Sequence, residues 1–295
     1  FVKTNKKEVA ADVSVVSDTS MWDIHPPAMT YMLRGLVYIE ATLHGPSHDL
    51  HSGMFGGSLV NPATALCAII GQLHDKHRRV QIPHFYDDVK PLSAAERKMW
   101  RTLRFDEKEF LAEAGMKKPF GEKSHTTLER IWSRPTCEVN GIFGGYTGKG
   151  AKTVIGSSAT AKISCRLVAN QDPEKVYRNL VKFLKDRTPP DCRWEIHPHG
   201  INPPIRVCTE SPWLEAAQRG LRQMFRKAPV LIGTGGSIPL VGSIQRILGF
   251  DSLLVGFGLD DDRVHSPNEK FDLKCYELGI KSHAAMLAEF AGVKA

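Results

Sequence analysis

Residues 36–44 read LVYIEATLH, and residues 158–168 read SATAKISCRLV. In the first stretch Val37, Ile39, Ala41 and Leu43 alternate with Tyr38, Glu40 and Thr42. In the second, Ala159, Ala161, Ile163, Cys165 and Leu167 alternate with Lys162, Ser164 and Arg166. A period of two predicts strands with one face buried and one face in water. Between and beyond them the spacing turns helical. Pro62 followed by Leu66, Ile69, Ile70 and Leu73 predicts a helix over 61–79. Asp172 before Pro173 is an N-cap followed by proline at the first helical position, and Val176, Leu180, Phe183 and Leu184 form the stripe behind it. Residues 192–199 read as another strand. Strand, helix, strand, helix, strand over 36–200 predicts an α+β sandwich two layers deep. The charge-rich residues 81–130, with helix-like pieces around 94–103 and 107–113, read as a helical insertion.

Outside this segment the chain reads differently. DVSVVSD, residues 12–18, is a short apolar strand ending in an acid. After Pro203 and Pro204, Ser211-Pro212 opens a helix with the stripe Leu214, Ala217, Leu221 and Phe225. The strand VLIGT follows, then a helix from about Pro239, a strand LLVGF at 253–257, and a last helix over 273–290. Helices alternating with short apolar strands predict an α/β layer, with too few strands for a doubly wound sheet.

The 295 residues carry a formal net charge of +7. Their basic residues are dispersed. The densest runs, Lys76 to Arg79 and Arg219 to Lys227, lie beside apolar residues in helix-like segments, which fits a solvated face and not a nucleic-acid footprint. No apolar run approaches a membrane span. The start shows no Lys-led apolar leader and no initiator Met. The six cysteines form no CxxC pair, and several sit in apolar patterns, so a reducing, cytoplasmic setting is expected.

Chemistry concentrates in a few places. Asp18 ends an apolar strand, where carboxylates in α/β sheets face the ligand crevice. HDLHSGMFGG, residues 48–57, holds His48 and His51. Its glycines argue against a helical zinc pair, and His51 reads as a loop donor able to polarise a carbonyl. GIFGGYTGKG, residues 141–150, fails the Walker A pattern, with Phe143 and Gly150 at the deciding positions, and reads as a flexible turn. In TGGSIP (234–239), Gly235 and Gly236 allow close backbone approach, and Ser237 is expected to start a helix whose N–H groups meet a carboxylate. In GLDDDRVHSPNEK (258–270), His265 lies on a loop, and the three adjacent acids read as solvated.

In that order, SDTSMW, RGLVYIEATLHGP, DLHSGMFGG, GAKTVIGSSATAKISCRLV, GGSIP and VHSPNEK resemble the M20 metallopeptidase family, most closely its dipeptidase branch. The resemblance implies a partial α/β zinc-peptidase-like catalytic domain over 1–35 and 206–295. An inserted α+β two-layer lid and dimerisation domain would span 36–205. It implies two divalent ions, zinc or manganese, and hydrolysis of dipeptides or short peptide amides by a metal-activated water. Asp18 and His265 would be metal ligands. His51 would reach the partner subunit's site as an oxyanion donor. Thr153, Arg166, Gly235, Gly236 and Ser237 would bind substrate. The partners implied are a small peptide and a second copy through the lid, with no nucleic acid and no membrane.

The family's His-x-Asp, bridging Asp and Glu-Glu pair have no counterpart in these residues, which begin just after the Glu-Glu segment. Thr234 stands where many dipeptidases of the branch carry a Glu resembling an amine clamp, so an acylated amide is a further candidate substrate. An aminoacylase, desuccinylase or carboxypeptidase of the same superfamily, and an inactive dimerising fragment, are the alternative readings.

Overall fold

The computed structural model describes residues 1–23 and 26–294. In chain order the strands are β1 (Val13–Val16), β2 (Ala28–Leu33), β3 (Gly35–His44), β4 (Leu50–His51), β5 (Thr136–Gly144), β6 (Val154–Ile155), β7 (Ser158–Leu167), β8 (Arg193–Asn202), β9 (Ile205–Arg206), β10 (Val230–Gly233) and β11 (Asp251–Leu254). The helices are α1 (Ser52–Phe55), α2 (Pro62–Ile70), α3 (Ala94–Arg101), α4 (Glu107–Glu113), α5 (Pro173–Lys185), α6 (Pro212–Phe225), α7 (Pro239–Leu248) and α8 (Leu273–Phe290), with a π-turn at Glu129–Ser133. They form two compact units. One comprises Phe1–Leu33, Leu92–Phe105 and Ile205–Ala295, the other Arg34–Pro91 and Asp106–Pro204.

The second unit is built on the antiparallel sheet β5-β7-β3-β8. The alternation read from the sequence sets its register. Val37 pairs with Cys165, Ile39 with Ile163 and Ala41 with Ala161. Every one of these is fully buried. They pack against Leu66 and Ile69 of α2 and against Val176, Leu180, Phe183 and Leu184 of α5 in one core. The opposite face carries Tyr38, Glu40, Thr42, Lys162, Ser164 and Arg166. This is the two-layer arrangement the periodicity predicts.

The structure departs from the sequence pattern at two places in this unit. The helix expected over 61–79 ends at Ile70, and Gly71–Leu73 adds one 3₁₀ turn. Asp75 then takes over, its carboxylate accepting from the N–H groups of His77 and Arg79 at 2.8 and 2.9 Å. An Asp side chain that binds nearby backbone donors offers the chain a turn in place of a helix. The glycine-dense stretch from Gly141 is not wholly a flexible turn, because β5 runs through it to Gly144 with a register shift between Val139 and Gly141. Gly144 is there for closeness: a Cβ on it would lie 2.7 Å from the Ala159 Cβ.

In the first unit the sheet order is β1-β11-β2-β10, with β9 also pairing β2. It has five strands where the sequence pattern shows three. The one that matters most is β2, whose six residues are all buried. A strand covered on both faces has no alternation to read. The strand expected at 253–257 occupies Asp251–Leu254 instead. Residues 255–258 leave the strand and run along the end of β1, where the Val255 N–H donates to Val16 O at 3.1 Å and the Met21 N–H to Gly258 O at 2.8 Å.

Leu92–Phe105, part of the stretch read as an insertion, belongs to this unit through Glu96. That carboxylate completes a capping box with Ser93 at the start of α3. It also accepts from the Tyr31 hydroxyl of β2 at 3.3 Å and from Arg206 of β9 at 2.7 Å. Burial, reinforced by the Glu96 charge, pushes the Tyr31 phenol far above its ordinary value.

Candidate active site

Asp18 stands two residues beyond β1, exposed, on the rim of a cavity of about 730 Å³ that Ser17, Phe257, Asp262, Lys270 and His283 help to line. The turn that carries it is fixed from two sides. His283 of α8 has its Nδ1 2.7 Å from Gly279 O, so Nδ1 holds the proton and Nε2 accepts from the Ser17 hydroxyl at 2.8 Å. On the other side Thr19 lies against Gly256 so closely that a Cβ there would fall 1.4 Å from Thr19 O.

His265 sits on the 258–270 loop, exposed, with φ of 61°. Arg263 and Asn268 are also left-handed, at 56° and 62°. Three such non-glycine residues in six positions need a firm support. Asp262 supplies it. The sequence pattern places all three adjacent acids in solvent, but Asp262 is only 2% exposed. Its carboxylate accepts from the Leu259 N–H at 2.7 Å and from Lys270 Nζ at 2.8 Å. Burial alone raises this carboxyl, yet the hydrogen bonds from Lys270 and Leu259 outweigh it and hold the pKa below the ordinary 3.8. A depressed carboxylate adds stability above its unfolded pKa and loses it as pH falls through the folded one. The loop is therefore expected to hold unchanged from neutral pH down to about pH 4 and to loosen below it. Hydrogen exchange at the Leu259 amide checks this; loosening between pH 7 and 5 would contradict it.

Neither Asp18 nor His265 has a side-chain hydrogen bond or ion pair with another described residue. One carboxylate and one imidazole, both exposed and unengaged, have the donor chemistry of a zinc-type site, which takes four ligands. Among the described residues no group of three or more His, Cys, Asp and Glu is placed to hold a metal. By donor chemistry each of the two suits such a site as one ligand among several.

In the other unit His51 ends β4 and caps α1. Its Nδ1 accepts from the Gly53 N–H at 3.1 Å. The ring proton then rests on Nε2, which lies 3.4 Å from Thr153 Oγ1. Pairing of β4 with β6 brings the two segments together, His51 opposite Val154, with the Ser52 N–H on Thr153 O at 3.0 Å. With Nδ1 accepting from Gly53, Nε2 is the ring nitrogen left to donate. His48, by contrast, has its Nδ1 3.0 Å from the Ser47 hydroxyl. Arg166 is half-buried on the polar sheet face, between Leu36 on β3 and Thr136 on β5.

Ser237 does not start a helix. α7 begins at Pro239 with Ile238 as its cap, and a proline there removes one of the N–H groups expected to face a carboxylate. The Thr234 hydroxyl accepts from the Gly236 N–H at 3.3 Å, so the threonine closes the GGS turn on itself. Of the residues that shape these places, Asp262, Lys270, Ser17 and His283 were not legible in the sequence. The only signal was a run of acids followed by a lysine, which does not say which acid is buried.

The peptidase dimerisation domain model of the M20 group matches residues 31–192, more than half of the chain. The chain belongs to the M20 peptidase family. Cys-Gly metallodipeptidase DUG1 of Saccharomyces cerevisiae is 32% identical over 289 residues, spanning 95% of this chain and 59% of that protein. Beta-Ala-His dipeptidase of Homo sapiens is 31% identical over 284 residues, with 95% and 56% covered. The solved structure of the yeast dipeptidase Dug1p superposes with a TM-score of 0.83 at 29% identity, over 100% of this chain and 62% of that one. An M20 family metallo-carboxypeptidase from Sulfolobus solfataricus gives 0.87 at 31% identity, over 97% and 65%. The chain thus spans less than two thirds of the length of these relatives. Its fold class is that of its neighbours: a catalytic α/β part with an inserted dimerisation domain.

Proposed function

We propose that this chain takes part in metal-dependent hydrolysis of dipeptides or similar short amides, as a homodimer joined through the domain at 36–205. Residues 1–35 and 206–295 are then the chain's share of the catalytic domain. The observation that carries the reading is the locked tautomer of His51. An imidazole held at Nδ1 by the Gly53 N–H presents an Nε2–H donor, which is what a developing oxyanion needs. The similar proteins fit a small amide substrate by their names, a Cys-Gly and a Beta-Ala-His dipeptidase.

In this reading Asp18 and His265 are metal ligands. A divalent ion, zinc or manganese, supplies a water acidified toward neutral pH. His51, supplied across the dimer, holds the carbonyl oxygen as it gains charge. Arg166 and Thr153 hold the substrate's terminal carboxylate, Arg166 through a planar guanidinium suited to two parallel hydrogen bonds. Ser237 and the turn at Gly235 and Gly236 assist. Two metal ions and a cytoplasmic setting belong to the same proposal; no helix of the described residues is long and apolar enough to cross a membrane. Nucleic acid has no part in it.

The test is a panel of free and N-acylated dipeptides offered to the protein that carries this chain, with zinc or manganese and with chelator. Chelator-sensitive cleavage of free dipeptides is the expected result. Cleavage of acylated substrates alone would move the reading to an aminoacylase-type reaction, for which the self-closed Thr234 turn would be the reason.

A further inference from the structure

A second arginine on the polar face of the β5-β7-β3-β8 sheet is left unused by these roles. Arg34 stands one residue before β3 and is 6% exposed. Its guanidinium does not stay beside its own strand. Nη1 donates to Ile131 O at 3.2 Å, and Nη2 donates to Arg134 O at 2.7 Å and to Thr136 Oγ1 at 3.0 Å. Ile131 lies in the π-turn, and Thr136 opens β5. In the sheet β7 lies between β3 and β5. The β7 residue paired with both Leu36 and Thr136 is Arg166. The Arg34 side chain therefore passes beside Arg166 on its way from one strand to the other.

The electrostatics agree with this path. Burial, and then the charge of Arg166, pull the Arg34 pKa down to about 10, which still leaves it cationic at neutral pH. Glu138, on the same face opposite Ser164, opposes the shift in part. The three hydrogen bonds named above brace Arg34 on oxygens of the π-turn and the start of β5. Two guanidinium charges on one face raise the local potential for an anion. A π-turn, here at the far end of the brace, recurs at functional sites.

Resting on the reading that Arg166 grips the substrate's carboxylate, we infer that Arg34 is a positioning residue for it. Arg34 ties the π-turn and the start of β5 into the wall beside Arg166 and places a buried guanidinium next to it. The site then takes a substrate ending in a free carboxylate and rejects the same substrate as its amide.

Isothermal titration of a free dipeptide and of its C-terminal amide tests this on the protein that carries this chain, as parent and as Arg166→Met, Arg34→Lys and Thr136→Val. The parent is expected to prefer the acid, and Arg166→Met to lose that preference. Arg34→Lys keeps a charge but loses the fork, and should cut the preference about tenfold. Thr136→Val removes one of the two hydrogen bonds that hold Nη2 and should cut it about threefold. Amide binding should stay at the parent level in both. If Arg34→Lys and Thr136→Val keep the preference while Arg166→Met loses it, the inference is wrong and the Arg166 reading stands. If they weaken acid and amide equally, the role is structural and the inference is again wrong. A parent without preference, or Arg166→Met that keeps it, removes the Arg166 reading and this inference with it. Should Arg34→Lys fail to fold, Thr136→Val, a hydroxyl-to-methyl exchange at a half-buried position, decides alone.

Discussion

Replacing His51 by alanine is expected to lower kcat by about two to three orders of magnitude, the usual cost of losing one oxyanion donor. Metal content and KM should change little. His51 caps a four-residue helix, and the Gly53 N–H on Nδ1 fixes which nitrogen carries the proton. Thr153 flanks the donor nitrogen at 3.4 Å. Nothing in this arrangement serves the core, because His51 is exposed. The loss should therefore appear in turnover and not in the melting temperature. An alanine variant within about twofold of the parent kcat would remove the oxyanion role. A variant that melted early would make His51 a structural cap.

Gly256→Ala is expected to have the largest structural effect, a destabilisation of about 3 kcal/mol or more, at the upper end for overpacking. The added Cβ would sit 1.4 Å from Thr19 O, a backbone atom that cannot swing aside. Something in the 17–20 turn or the 255–258 segment has to move. The turn carries Asp18, and the segment leads into the loop that carries His265. A drop in metal affinity should accompany the drop in stability. Thermal melting with and without zinc, together with metal titration, checks both. A variant of unchanged stability would mean that the close approach of Thr19 and Gly256 is not part of the fold in solution.

The sequence made some of this plain and hid the rest for physical reasons. β3 and β7 were legible because each has one wet face, and Ile39 and Ile163 announce the buried one. α5 was legible from Asp172 and Pro173 through its whole stripe. β2 was not, because Ala28–Leu33 is covered on both sides and reads as an unpatterned apolar run. α2 was read too long, since Asp75 ends the helical course through its own side chain and leaves the apolar spacing untouched. The start of α7 at Pro239 was legible, whereas the helix start also expected at Ser237 was not found, because the pattern does not show where the backbone first turns helical.

Among the site residues, Asp18, His51 and His265 stood out by motif. The partnership of His51 with Thr153 did not, being 102 positions apart in the chain. Asp262 was assigned to water because it ends a run of three acids, and only the fold shows that it faces Leu259 and Lys270.

Metal-dependent hydrolysis in a dimer whose subunits share their sites, as proposed above, makes a sharp demand on mixed dimers. The most direct test mixes two inactive variants, His51→Ala and Asp18→Ala, under conditions that let subunits exchange. In a two-fold dimer half of the molecules become mixed, and each mixed molecule keeps one intact site, so about a quarter of the parent activity should return. Return of that activity, abolished by chelator, is the result predicted here. Exchange into mixed dimers without any recovery would contradict it, because His51 would then serve the site of its own subunit or none.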